Sequence, residues 1–125
     1  MLLIWAAVGS LVWAEATPHS LFCEGMVLQR DAEVPVWGWA APGERVTVEF
    51  DGTRETATAD TQGKWMLKLA PMLASAEARV MTVSGSRGGK RTEIGNVVVG
   101  EVWLCGGQSN MEVGVGYALN PKQEQ

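Results

Sequence analysis

Nearly unbroken apolar residues, Val97-Val98-Val99-Gly100-Glu101-Val102-Trp103-Leu104-Cys105, run straight into Gly106-Gly107-Gln108-Ser109-Asn110-Met111-Glu112. The first stretch reads as a strand buried on both faces of a parallel sheet. A strand end, two glycines and a serine place a hydroxyl at the carboxyl edge of such a sheet. There, N–H groups at a following helix start could hold an anion. Serine attacks an acyl carbon only when a base takes its proton, so this placement is necessary and not sufficient. The nucleophile elbow G-x-S-x-G is not met, because Met111 stands at the second glycine position. Spacing alone leaves Ser109 open between a nucleophile and an N-cap or turn residue.

Other chemistry is sparse. The single histidine, His19, excludes a His-rich metal site, and two cysteines cannot build a disulfide framework. Cys105, within the apolar run, is expected as a buried thiol, and Cys23 in a strand-like stretch; an oxidising compartment would permit a bridge between them, for which one pair gives no framework. Glu101 and Glu112 flank the serine; either could hold the loop, and solvated or capping carboxylates are the commoner case. Ten Lys+Arg against 14 Asp+Glu, a formal charge of -4, leave no basic stripe for nucleic acid. A hydrophobic content of 46% excludes low-complexity disorder, and 125 residues admit one small domain or one plus part of another.

The chain opens with an uncharged apolar run from Leu2 to Trp13, followed by Ala14-Glu15-Ala16. Small residues at the two positions a signal peptidase reads imply a signal peptide over residues 1–16. The run is too short to cross a bilayer core of roughly 30 Å, and no lipoprotein cleavage site precedes Cys23, so no membrane anchor is expected. Export would place the protein outside the cell, in a periplasm or in a lysosome.

Between these ends the pattern is alternation. Val46, Val48 and Phe50 share one face opposite Arg45, Thr47 and Glu49, and Asp51-Gly52 then suits a tight hairpin. Thr53–Ala59 is the return strand, Trp65, Leu67 and Leu69 mark another, and Arg79–Val83 a further one. Val34–Trp39 is closed by Ala41-Pro42-Gly43-Glu44, a turn with Pro and Gly in favourable order. Pro71–Ala78 reads as an Ala-rich loop or a helical turn. Short strands with a turn signal between each pair imply a mainly β fold, an N-terminal β-sandwich (jelly-roll or Ig-like) over residues 17–97. Trp37, Trp39 and Trp65 are expected in its core; Trp37 and Trp39, two apart, would form a sugar platform only if their shared face were exposed.

The segment Gly107-Gln108-Ser109-Asn110-Met111, with Val99–Cys105 before it, resembles the first catalytic block of the sialate O-acetylesterase family, within the SGNH-type (GDSL-like) hydrolases. Met26-Val27-Leu28-Gln29-Arg30-Asp31, Val34-Pro35-Val36-Trp37-Gly38-Trp39-Ala40, Pro42-Gly43-Glu44 and Gly63-Lys64-Trp65 are similar to that family's N-terminal signature, in the same order. The resemblance implies that residues 98–125 begin an α/β esterase domain and that the chain is an N-terminal fragment. It makes Ser109 the nucleophile and its N–H an oxyanion donor, with Gly107, Gln108 and Asn110 shaping the turn. The implied substrate is an acetylated carbohydrate, sialic acid or another O-acetyl glycan, with no metal or organic cofactor. The remaining oxyanion donors and the Asp-x-x-His would lie downstream, and His19 matches neither. Loss of a triad's base typically costs roughly 10⁴ to 10⁶ in turnover, so the fragment is expected to be inactive alone. The alternative is a non-catalytic β-sandwich that binds glycan or docks on a partner.

Overall fold

A computed structural model describes residues 15–107. Residues 1–14 of the expected leader and the motif residues Gln108, Ser109 and Asn110 lie outside them. Every regular element among the described residues is a strand: β1 (Thr17–Pro18), β2 (Val27–Gln29), β3 (Val34–Trp39), β4 (Arg45–Phe50), β5 (Thr53–Thr58), β6 (Lys64–Leu69), β7 (Ser75–Gly85) and β8 (Thr92–Gly100). They form two sheets, β1-β3-β6 and β2-β8-β7-β4-β5. The fold is mainly β, as the alternation implies.

One core joins the sheets. Val34, Val36, Trp65, Leu67 and Leu69 from the three-stranded sheet meet Val46, Val48, Phe50, Met81, Val83, Ile94, Val97 and Val99 from the five-stranded one. Period-two patterning is the cause: β4 and β6 bury every second side chain. Each fully buried large side chain contributes roughly 1.5–3 kcal/mol of transfer free energy. The β4–β5 hairpin pairs Phe50 with Thr53, leaving Asp51 (φ 49°) and Gly52 (φ 74°) as a two-residue turn with both residues left-handed.

The Pro42-Gly43-Glu44 turn is tied across the sandwich. Glu44 is buried, and its carboxylate accepts from the Ala41 N–H at 3.1 Å and the Arg87 N–H at 3.3 Å. A side chain on Gly85 would collide with that carboxylate, so the glycine makes room for the buried acid. The Arg87 guanidinium returns to the Pro42 carbonyl at 3.1 Å.

Three local expectations are corrected. Ser75–Ala78 belongs to β7 instead of a loop or helical turn; antiparallel pairing overrides its alanine-rich composition. Cys23 lies outside any strand and is exposed. The strand expected over Val97–Cys105 is displaced: β8 spans Thr92–Gly100, paired antiparallel to β7 and parallel to β2, and residues 101–107 are exposed without regular structure. Cys105 is therefore exposed rather than buried, and it and Cys23 are both free. The reason is the reach of the neighbours. β2 ends at Gln29 opposite Gly100, and β7 begins at Ser75 opposite Val99, so neither flanks the residues beyond.

Candidate functional site

Gly107, the first residue of the motif block, stands exposed at the edge of the described region, seven residues after β8 ends. What directs the chain toward it is β2. Its parallel pairing sets Val27, Leu28 and Gln29 against Val98, Val99 and Gly100, and the Arg30 N–H donates to the Gly100 carbonyl at 2.9 Å. The Gln29 side chain then grips the departing segment twice: its Nε2 donates to Glu101 Oε1 at 3.0 Å, and its Oε1 accepts from the Val102 N–H at 2.9 Å. Both amide atoms are thereby used on one stretch of chain, which fixes the amide's orientation. Glu101 is more than a solvated carboxylate, since it is one half of this clamp. Beyond it Val102, Trp103 and Leu104 are exposed, Leu104 at 99%. Gln29 carries no reactive group, so sequence reading gives it no role; its signal is the polar residue closing an otherwise apolar three-residue strand.

Open clefts flank the sandwich. One, about 570 Å³, is lined by Glu49, Arg54, Thr82 and Arg91 among others. Its charges answer one another: Glu49 accepts from Arg54, from Arg91 at 3.3 Å and from the Thr82 hydroxyl at 3.4 Å. The Arg54 hydrogen bond, opposed by some desolvation and helped by the charge of both arginines, holds the Glu49 carboxyl below its ordinary range. These groups are mutually satisfied.

The second cleft, about 460 Å³, lies along His19, Trp37, Gly38, Trp39, Asp60, Lys64, Trp65 and Met66. Here a core expectation is overturned. Trp65 is buried as expected, but Trp37 is half-buried and Trp39 is 47% exposed. Val34 and Val36 take the inward face of β3, so period two turns Trp37 and Trp39 outward. On that outer face register sets Trp37 opposite Met66 and Trp39 opposite Lys64 on β6. The His19 ring lies 5.6 Å from Trp37 and 5.5 Å from Trp39, and Phe22 meets Trp37 edge-on at 4.8 Å. β1 is held close enough to deliver His19 because Gly38 lacks a side chain, which would run into the Thr17 carbonyl.

Asp60 builds the rim: its Oδ1 accepts from the Gln62 N–H at 2.8 Å and the Lys64 N–H at 2.9 Å, a turn closed by its own side chain. His19 Nδ1 accepts from the Leu21 N–H at 3.1 Å, so in the neutral ring the proton sits on Nε2, a donor.

No family model matches the chain. The chain is 36% identical over 110 residues to the sialate O-acetylesterases of Pongo abelii and Homo sapiens, an alignment covering 79% of this chain and 20% of each of theirs. The chain is a homologue of the sialate O-acetylesterases. It thus spans about a fifth of the length of the curated relatives it matches. Among solved structures, a carbohydrate acetylesterase from Xanthomonas citri superimposes with a TM-score of 0.70 at 40% identity, over 87% of this chain and 24% of that one. The likeness to the sialate O-acetylesterases that the sequence motifs imply is therefore matched in sequence, and the fold is matched by a carbohydrate acetylesterase.

Proposed function

We propose that this chain is the N-terminal part of a secreted carbohydrate O-acetylesterase, a serine hydrolase that removes acetyl groups from sialic acid or another glycan. The observation that carries the reading is the homology to named acetylesterases in both sequence and fold. In the reaction, Ser109 Oγ adds to the acetyl carbonyl as a base takes its proton, and the sugar hydroxyl leaves. Water then releases acetate from the acetyl-serine. The Ser109 N–H serves as one oxyanion donor, and Gly107, Gln108 and Asn110 shape the turn. The base and the remaining donors come from sequence beyond this chain, so the fragment alone is inactive. The Gln29 clamp supports the reading by giving the segment toward Ser109 a defined point of departure.

The test is acetate release from O-acetylated sialic acid and acetylated xylan by the product of the whole reading frame. Replacing Ser109→Ala is expected to lower turnover by roughly 10⁴-fold or more; retained activity would overturn the assignment. Export is part of the proposal, with the leader cut after Ala16. Because Ala16 is 3% exposed in the core, a cut at that bond removes a buried contact. The intact mass of the exported protein reads the position directly.

A further inference from the structure

We infer that the outer face of the three-stranded sheet is a carbohydrate-binding site, where Trp39 and Trp37 stack on a pyranose ring while Lys64, Asp60 and His19 hydrogen-bond its substituents. A pyranose has a face rich in C–H groups and a rim of hydroxyls. A complementary site therefore needs an exposed aromatic ring with donors and acceptors at its edge, not an apolar sheet face alone.

The second cleft has that composition. Trp39 is 47% exposed, and its cross-strand neighbour Lys64 makes no ion pair among the described residues. His19 offers Nε2–H. Asp60 spends Oδ1 on its own turn, which holds the carboxylate in place and leaves Oδ2 as an acceptor. Donors and an acceptor together suit hydroxyls, which both donate and accept hydrogen bonds.

The site is also built in advance. Both tryptophans stand on one strand, Trp37 is braced by Phe22 and His19, and the rim turn is closed by Asp60. Little ordering remains to be done on binding. The three polar groups disfavour an apolar protein partner, which would have to desolvate them without return. Binding requires no turnover, so this inference stands or falls apart from the esterase reading.

The experiment is isothermal titration calorimetry and tryptophan fluorescence on the 125-residue chain, with xylohexaose and sialyllactose as probes. Saturable binding of at least one, with a shift in tryptophan emission, is expected. Trp39→Ala should weaken it about tenfold or more, equivalent to about 1.4 kcal/mol. Trp39→Phe, which keeps a ring face, should cost about two- to threefold, and Lys64→Ala about two- to fivefold. Arg54→Ala in the other cleft should change nothing. Circular dichroism confirms that each variant is folded, and the milder Phe and Lys64 changes keep the test alive if Trp39→Ala is not. No saturable response to either probe overturns the inference, as does binding that Trp39→Ala leaves intact. Concentration-dependent self-association abolished by Trp39→Ala, without sugar binding, would assign the face to a second copy of the chain instead.

Discussion

β8 and the residues just beyond it are written in the same apolar vocabulary and meet opposite fates. Ile94, Val97 and Val99 are buried in the core, whereas Val102, Trp103 and Leu104 stand 50%, 81% and 99% exposed. What separates them is flanking strands. Up to Gly100 the chain has β7 on one side and β2 on the other; past it, the Gln29 side chain bridges from β2. Apolar texture states what a segment would gain by burial, and the neighbouring strands decide whether it is buried.

The sharpest way to break this contrast is to shorten one aliphatic side chain on each side of Gly100. Ile94→Ala should cost about 2–5 kcal/mol in urea unfolding, through lost transfer energy and an unfilled cavity. Leu104→Ala should stay within about 0.5 kcal/mol, as for a solvated residue. Equal costs would mean that residues beyond Gly100 are buried in solution. A smaller effect tests the clamp. Gln29→Ala removes three exposed hydrogen bonds, two of them to the departing segment and one to the Arg30 carbonyl, each worth about 0.5–1.5 kcal/mol, and should speed amide exchange at Val102 while the β8 amides keep their protection. Unchanged exchange at Val102 would deny Gln29 its role.

The smallest effect concerns pH. The Glu49 carboxyl is held below its ordinary value of 4.5 in the folded state, so it contributes stability in full above that value. That contribution is lost as pH falls through the lowered folded pKa. Glu49→Gln should therefore narrow its stability gap to the parent as urea midpoints are taken from neutral pH to below about 4.5. A gap independent of pH would mean that the arginine contacts are not made in solution.

Much of the sandwich was legible because four strands obey period two without interruption. β3, β4, β5 and β6 were read from alternation to within a residue of their ends. β7 and β8 were harder because their pairing is irregular. Between the Arg79–Val97 and Met81–Ile94 pairs β8 advances three residues to β7's two, and Asn96 sits there at φ 55°. That bulge keeps Ile94, Val97 and Val99 all inward at the expense of a clean alternation. The outward tryptophans were readable in principle: once Val34 and Val36 claim the core, Trp37 and Trp39 cannot share it. Tryptophan's size favours burial, and the phase of β3 outweighs it. Gln29 was not readable, since its meaning lies in a partner 72 residues away.

That separation bears on the order in which the protein folds. Every other pairing in the five-stranded sheet is antiparallel, and β4–β5 forms through a two-residue turn. The parallel β2–β8 ladder instead closes a loop of most of the described chain, a contact whose entropic cost rises with its length and which slows folding. Emerging from a ribosome, β2 must wait for β8 before it has a partner. The direction of the chain beyond Gly100 is therefore set only when the sandwich closes, and the downstream segment starts from a finished module.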